Sequence, residues 1–320
     1  MKIAFFGTGE FSSAILQWIL DTQKYDVKLV VSQPDKPIWR KKIITATPVK
    51  ELAVKHNLSV LQPEKLRNNT EFFKNLNDLD LDFIVVVAYG KIVPLEVLEA
   101  PKYGCINTHG SILPAYRWAS PIQESVKNGD TETWLTIMYM SEWMDEWDIL
   151  KIQKCDINEH DTSLDIFNKF IDFGPSLLTE TLEWVLDGSV KWQKQDESQV
   201  SYCGKISKAD AEIDFTQSAQ ETYNKKRSYT PWPGIFTTYK WKKLAIEVCH
   251  LDNSDIAFDD DFHIGDVVEL EQHEKQKIWV LCWSGILILE EVKLEWKKSM
   301  DINSFVNGNK DFLEYNFLSE

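Results

Sequence analysis

Several short stretches carry residue types that could do chemistry. The most informative is Cys105-Ile106-Asn107-Thr108-His109-Gly110-Ser111-Ile112-Leu113-Pro114. If residues 105–109 are extended, the two-residue period of a strand sets Asn107 and His109 on one face. An amide donor beside an imidazole suits attack of an amine on a carbonyl: the amide stabilises the developing oxyanion and the imidazole handles protons near neutral pH. Spacing alone leaves a second reading open, a capped loop with an incidental histidine. In Met144-Asp145-Glu146-Trp147-Asp148, Asp145 either orients His109 and stabilises its protonated form or, like Asp148, is a solvated loop acid. No nearby His or Cys completes a metal set there, so no metal is expected. Lys36-Pro37-Ile38-Trp39-Arg40-Lys41-Lys42 is the strongest positive run of the chain. It is either a solvated loop or a loop that reaches phosphates, with an aromatic able to stack on a base. The turn Gly7-Thr8-Gly9-Glu10-Phe11 invites a dinucleotide reading, but the fingerprint needs glycine where Ser12 stands. It also needs an acid at the end of the second strand, where Ser32-Gln33-Pro34 stands, so a plain strand-to-helix turn is expected and NAD is rejected.

These residues need a scaffold, and the first half of the chain supplies one by alternation. Ile3–Phe6 is an apolar run ending at the glycine turn, a helix-periodic segment covers Phe11–Leu20, and Val27–Val31 is a second apolar run. Phe83–Ala88 is β-branched and apolar on both faces, as a strand covered on two sides must be, and Cys105–Thr108 and Leu135–Tyr139 read as two more strands. The pattern predicts an α/β, doubly wound parallel sheet, with Asn107 and His109 leaving a strand at its carboxyl end, where such sheets bind ligands. After the polar stretch 193–198 the alternation stops, and short strands follow at Leu244–Val248, Asp266–Leu270, Ile278–Leu281 and Ile286–Leu289. They predict a smaller β-barrel-like domain. The boundary is placed near Gly204, giving domains 1–203 and 204–320.

The 320 residues suit about two domains, with 43% hydrophobic and 27% charged residues. Five cysteines show no C-x-x-C pairing, so no zinc knuckle or disulfide framework is encoded. No leader-like or membrane-spanning apolar run is present, which predicts a cytoplasmic protein with no membrane partner. A net charge of −15 argues against sequence-blind nucleic-acid binding but leaves room for a local basic patch.

With these residues assembled, the chain resembles the methionyl-tRNA formyltransferase family nearly end to end. The motifs are FFGTGEF (5–11), SQPDKP (32–37), TPVKELA (47–53), QPEKLR (62–67), VVVAYGKIVP (85–94), GCINTHGSILP (104–114), SPIQESVKNGDTET (120–133), KISKADAEIDF (205–215) and TPWPG (230–234). The resemblance implies a Rossmann-like formyltransferase domain and an OB-like C-terminal domain that helps hold tRNA. It implies that Asn107, His109 and Asp145 are catalytic and that Ser111, Ile112, Leu113 and Pro114 form the loop beside the folate. Arg40, Lys41 and Lys42 would face the tRNA acceptor stem, in a loop shorter than the family's. The implied reaction moves a formyl group from 10-formyltetrahydrofolate to the α-amine of methionyl initiator tRNA, by a monomer. Two other readings stay open. One is another folate-dependent formyltransferase, acting on an amino sugar or a glycinamide ribonucleotide. The other is a catalytically inactive tRNA-binding relative.

The second of these arises because Trp39, Trp118, Trp134, Trp143, Trp147, Trp241 and Trp296 stand where the resemblance implies glycine. Glycine at turns supplies positive φ or close backbone approach, which tryptophan does not supply cheaply. The chain has 13 Trp and only 13 Gly. A genome that reads UGA as glycine, conceptually translated with UGA as tryptophan, accounts for both facts. Restoring the seven brings glycine to about 6%, near its usual share. If the tryptophans are real, the surroundings of Asp145 are remodelled.

Overall fold

The computed structural model describes residues 1–38, 43–142, 145–252, 261–272 and 275–319. They form two compact units. The first comprises Met1–Ile122, Glu132–Asp156 and Ile166–Gly204, and the second Gln123–Thr131, Ile157–Asp165 and Lys205–Glu320.

In chain order the elements up to residue 109 are β1 (Lys2–Gly7), α1 (Glu10–Asp21), β2 (Asp26–Val31), β3 (Lys36–Ile38), β4 (Ile43–Thr45), α2 (Pro48–Lys55), β5 (Val60–Leu61), α3 (Thr70–Asn77), β6 (Phe83–Val87), α4 (Leu95–Leu98) and β7 (Cys105–His109). Then come β8 (Arg117–Trp118), α5 (Pro121–Lys127), β9 (Glu132–Tyr139), β10 (Ile149–Asp156), α6 (Ser163–Asp187) and β11 (Tyr202–Cys203). The main sheet has the order β10-β9-β7-β6-β1-β2-β5. Ile3 to Phe6 of β1 and Phe83 to Val87 of β6 are buried throughout, which is why both read as unbroken apolar runs. From β5 to β7 every neighbouring pair is parallel.

The expected further strand at Leu135–Tyr139 is present but runs the other way: β9 is antiparallel to β7, and the unforeseen β10 is antiparallel to β9. An apolar run marks a strand without marking its direction. The edge strand β10 exposes Lys151, Gln153 and Lys154, which hid it among polar residues. This direction matters for the site. Tyr139, the last residue of β9, lies opposite Ile106, while His109 lies opposite Thr136. The loop after β9 therefore leaves well short of His109, and must fold back about 10 Å along β7 at the usual strand rise to reach it.

The glycine turn behaves as a strand-to-helix turn. A Cβ on Gly7 would lie 2.6 Å from the Ser12 Cβ, and the Ser12 hydroxyl donates to the Val87 carbonyl at 2.6 Å. Serine thus occupies the space that the third glycine of a dinucleotide fingerprint leaves for close packing.

In the second unit, after α7 (Ala219–Ser228), come β12 (Ile235–Tyr239), β13 (Lys242–Asp252), β14 (Val267–Gln272), β15 (Lys275–Leu281), β16 (Ile286–Leu294), β17 (Met300–Asp301) and α8 (Ile302–Gly308). The antiparallel order is β12-β13-β16-β15-β14, with β17 on β16. Tyr223 of α7 and Ile302, Phe305 and Val306 of α8 close one core with Leu244, Ile246, Ile278, Leu287 and Leu289. Among the described residues, no helix is long and apolar enough to cross a membrane.

Candidate active site

The carboxyl ends of β1, β2 and β6 are tied at one atom. The Tyr89 carbonyl accepts from the Thr8 hydroxyl at 3.0 Å and from the Gln33 amide at 2.8 Å. Beside this knot, Asp35 receives the Lys50 ammonium at 2.5 Å and the Gln62 amide at 2.6 Å. Hydrogen bonds from Lys50 and Gln62 hold the Asp35 carboxyl below the usual carboxylate range. Three motifs set apart in the sequence, at 32–37, 47–53 and 62–67, thus meet at one place. The adjoining residues Trp39, Arg40, Lys41 and Lys42 lie outside the described residues, as does Trp143.

Asn107 and His109 sit at the end of β7, on the strand next to β6. Asn107 is half-buried, and no side-chain hydrogen bond engages its amide among the described residues. His109 is buried, and Nε2 lies 2.9 Å from the Tyr116 carbonyl. A carbonyl only accepts, so this contact puts a proton on Nε2. On the opposite edge of the ring, Nδ1 lies 3.7 Å from Asp145 Oδ2. The imidazole is therefore flanked by two acceptors, one neutral and one anionic, and Asp145 orients it by charge rather than by a direct hydrogen bond.

The same Asp145 oxygen accepts from the Trp118 backbone N–H at 2.9 Å. The segment Tyr116–Trp118 consequently touches both partners, His109 through the Tyr116 carbonyl and Asp145 through the Trp118 amide. β8 pairs in parallel with β11, and the Ser201 hydroxyl accepts from the Tyr116 N–H at 2.9 Å.

The glycine-to-proline loop after His109 is packed rather than open. The Ser111 hydroxyl donates to the Ala115 carbonyl at 2.5 Å, and the Ser111 carbonyl accepts from Thr136 at 2.5 Å. Leu113 packs with Met138 and Ile149, and Pro114 is buried. Of the four loop residues singled out in the sequence, only Ile112 exposes its side chain. Among the described residues, no group of three or more His, Cys, Asp or Glu is placed to hold a metal ion.

Reading by spacing missed three residues. Arg117 is fully buried and gives Nε and Nη2 to the Gln195 Oε1, at 3.1 and 2.7 Å. It also gives Nη2 to Glu197 at 2.7 Å. Burial works against the guanidinium charge, but Glu197, Tyr202 and Glu146 together outweigh it and raise the pKa above its ordinary value. The Gln195 Nε2 then donates to the carbonyls of Asp145 and Trp147, both at 2.7 Å. Gln195 and Glu197 lie in the polar stretch 193–198, just ahead of the boundary placed near Gly204. That stretch is tied to the site: Gln193 exchanges two 2.9 Å backbone hydrogen bonds with Ile149. A buried arginine is the one signal that could have revealed it, and burial is not visible in spacing.

Comparison with known proteins fits this architecture. A family model described as "Formyl transferase" matches residues 1–182, and one described as "Formyl transferase, C-terminal domain" matches 205–310. Solved structures share the fold. They include WlaRD, described as a sugar 3N-formyl transferase (TM-score 0.63, 18% identity, 93% of this chain and 99% of that one). Another is an N-formyltransferase from Helicobacter canadensis (TM-score 0.64, 18% identity, 90% and 98%). Fold and family matches define the class, a formyl transferase with a C-terminal antiparallel domain. Among curated relatives, the methionyl-tRNA formyltransferase of Caldicellulosiruptor saccharolyticus is 41% identical over 97% of both chains. That of Lachnospira eligens is 38% identical, again over 97% of both. The chain belongs to the formyl transferase family and, within it, to the methionyl-tRNA formyltransferases, which are one-carbon transferases.

Proposed function

We propose that this protein transfers the formyl group of 10-formyltetrahydrofolate to the α-amine of methionine on initiator tRNA, in the cytoplasm, with residues 1–203 performing the chemistry and 204–320 contributing to tRNA binding. The observation that carries the reading is the near full-length identity to proteins named for that activity, joined to an amide, an imidazole and a carboxylate clustered at the carboxyl end of β7. The amine nitrogen bonds to the formyl carbon, the bond from that carbon to N10 of the folate breaks, and the proton lost by the amine ends on N10. The free Asn107 amide donates to the negative oxygen of the tetrahedral intermediate, protonated His109 stabilises that oxygen by its charge, and Asp145 holds the ring in place. Ile112, with the backbone of Ser111, Leu113 and Pro114, borders the folate, and Arg40, Lys41 and Lys42 approach the acceptor stem.

The test compares formyl transfer to methionyl initiator tRNA with transfer to amino-sugar nucleotides and to glycinamide ribonucleotide. Turnover on the charged tRNA alone supports the reading. Turnover on a small amine alone replaces the acceptor, and salt-sensitive tRNA binding without turnover on any acceptor identifies an inactive relative.

A further inference from the structure

We propose that Gln195 is a positioning residue: clamped by Arg117, which Glu197 holds in turn, it keeps the Asp145 loop folded back over β7 so that the carboxylate faces His109. This deepens the functional reading above and rests on it only where turnover is measured. Because β9 runs antiparallel to β7, its following loop must double back to bring Asp145 to His109, and nothing in the β9–β10 pairing compels that path. At the point of return Asp145 takes a left-handed backbone conformation, φ 61°, which is unfavourable for a residue with a Cβ unless its surroundings enforce it. Gln195 provides the enforcement, since its one amide group donates to the carbonyls on both sides of the bend, at Asp145 and Trp147. Its other end is fixed by two donors of a buried guanidinium, so the side chain has no freedom to release the loop.

Gln195→Glu tests this cleanly. The glutamate has the same reach and still accepts from Arg117, but it cannot donate to two carbonyls. The expected result is a protein that still melts cooperatively, a kcat lower by about ten- to a hundredfold, and KM values for both substrates within about twofold. The His109 ring resonances, recorded without substrate, should move in the same sense as in Asp145→Asn. Glu197→Gln is a second variant, at a side chain 67% exposed, and should show a smaller effect of the same kind. Ring resonances unchanged in folded Gln195→Glu overturn the proposal whatever the turnover. Shifted resonances in a protein that never formylates methionyl-tRNA leave the positioning role standing and overturn the functional reading instead.

A different observation carries a second inference. Trp118, Trp241 and Trp296 have φ of 90°, 63° and 66°, in the left-handed region that a bulky side chain adopts only under strain. Trp241 and Trp296 are 84% and 74% exposed, so burial of the indole offers little to offset that strain, while Trp118 rests on the Tyr202 ring at 4.4 Å. All three belong to the seven tryptophans set apart in the sequence; Trp134 and Trp147 of that set have ordinary φ, as do Trp18, Trp184, Trp192, Trp232, Trp279 and Trp283. We infer that the protein made in its source cell carries glycine at 118, 241 and 296, where UGA is read as glycine. The Trp118 contact to Asp145 comes from its backbone N–H, so glycine keeps it. Peptide masses of the protein isolated from its source cells decide the matter. Peptides lighter by one indolylmethyl group at each position support the inference, and tryptophan masses there overturn it.

Discussion

The Nδ1 atom of His109 and the Oδ2 atom of Asp145 face each other at 3.7 Å, with the far side of the ring held by the Tyr116 carbonyl. This separation is too long for a hydrogen bond and short enough for a strong electrostatic effect in a mostly buried site. Replacing Asp145 by Asn removes the charge and keeps the shape. The expected outcome is a kcat lower by about a hundredfold with unchanged stability, measured by single-turnover formylation and thermal melting.

The cysteines give a prediction independent of catalysis. All five are buried and unpaired by disulfides. Burial raises the thiol of Cys105 and pushes those of Cys249 and Cys282 up to about 12. At pH 8 these thiols remain protonated, and the thiolate is the reactive form. Alkylation at pH 8 should leave Cys105, Cys249 and Cys282 unlabelled in the native protein and label all of them in denaturant. Rapid native labelling of any of the three contradicts the packing described.

The knot around Asp35 predicts a pH-dependent stability. The folded carboxyl titrates below its unfolded value of about 3.9. Its contribution is therefore complete above that value and disappears as the pH falls through the lower folded value. Lys50→Met should lower the urea midpoint at pH 7, and the gap from the parent should close as the solution is acidified below about pH 4. A gap of constant size down to the acid limit would assign the effect to packing instead.

Gly7 tests the turn. A Cβ there meets Ser12 at 2.6 Å and the Phe5 ring at 2.7 Å, both in the packed core. Gly7→Ala should destabilise the protein by about 1–3 kcal/mol in denaturant unfolding. Gly9→Ala, where a Cβ meets nothing within 4 Å, should cost far less.

Much of this architecture was legible before any coordinates. Unbroken apolar runs located β1, β6 and β7 because those strands are covered on both faces, and the two-residue period set Asn107 and His109 together. The plain strand-to-helix turn expected at Gly7-Thr8-Gly9 is present, with Ser12 filling the space beside Gly7. What stayed hidden depended on direction and burial. An apolar run at 135–139 says nothing about which way the strand runs, so the doubled-back path to Asp145 was invisible. Gln195 and Glu197 sat in a polar stretch with no visible chemistry, and only the burial of Arg117 explains why that polarity is needed. The loop at 111–114 was located by resemblance, while its tight internal hydrogen bonds follow from Ser111 being enclosed by Thr136 and Ala115.

The central claim is that the β7 cluster performs formyl transfer to methionyl initiator tRNA, and one measurement addresses it most directly. The rate of transfer from 10-formyltetrahydrofolate to charged initiator tRNA is compared for the parent protein and His109→Ala, both shown folded by their melting. The account predicts robust turnover by the parent and a loss of about a hundredfold or more in the variant. A parent that turns over with His109→Ala within about tenfold of it would contradict the account.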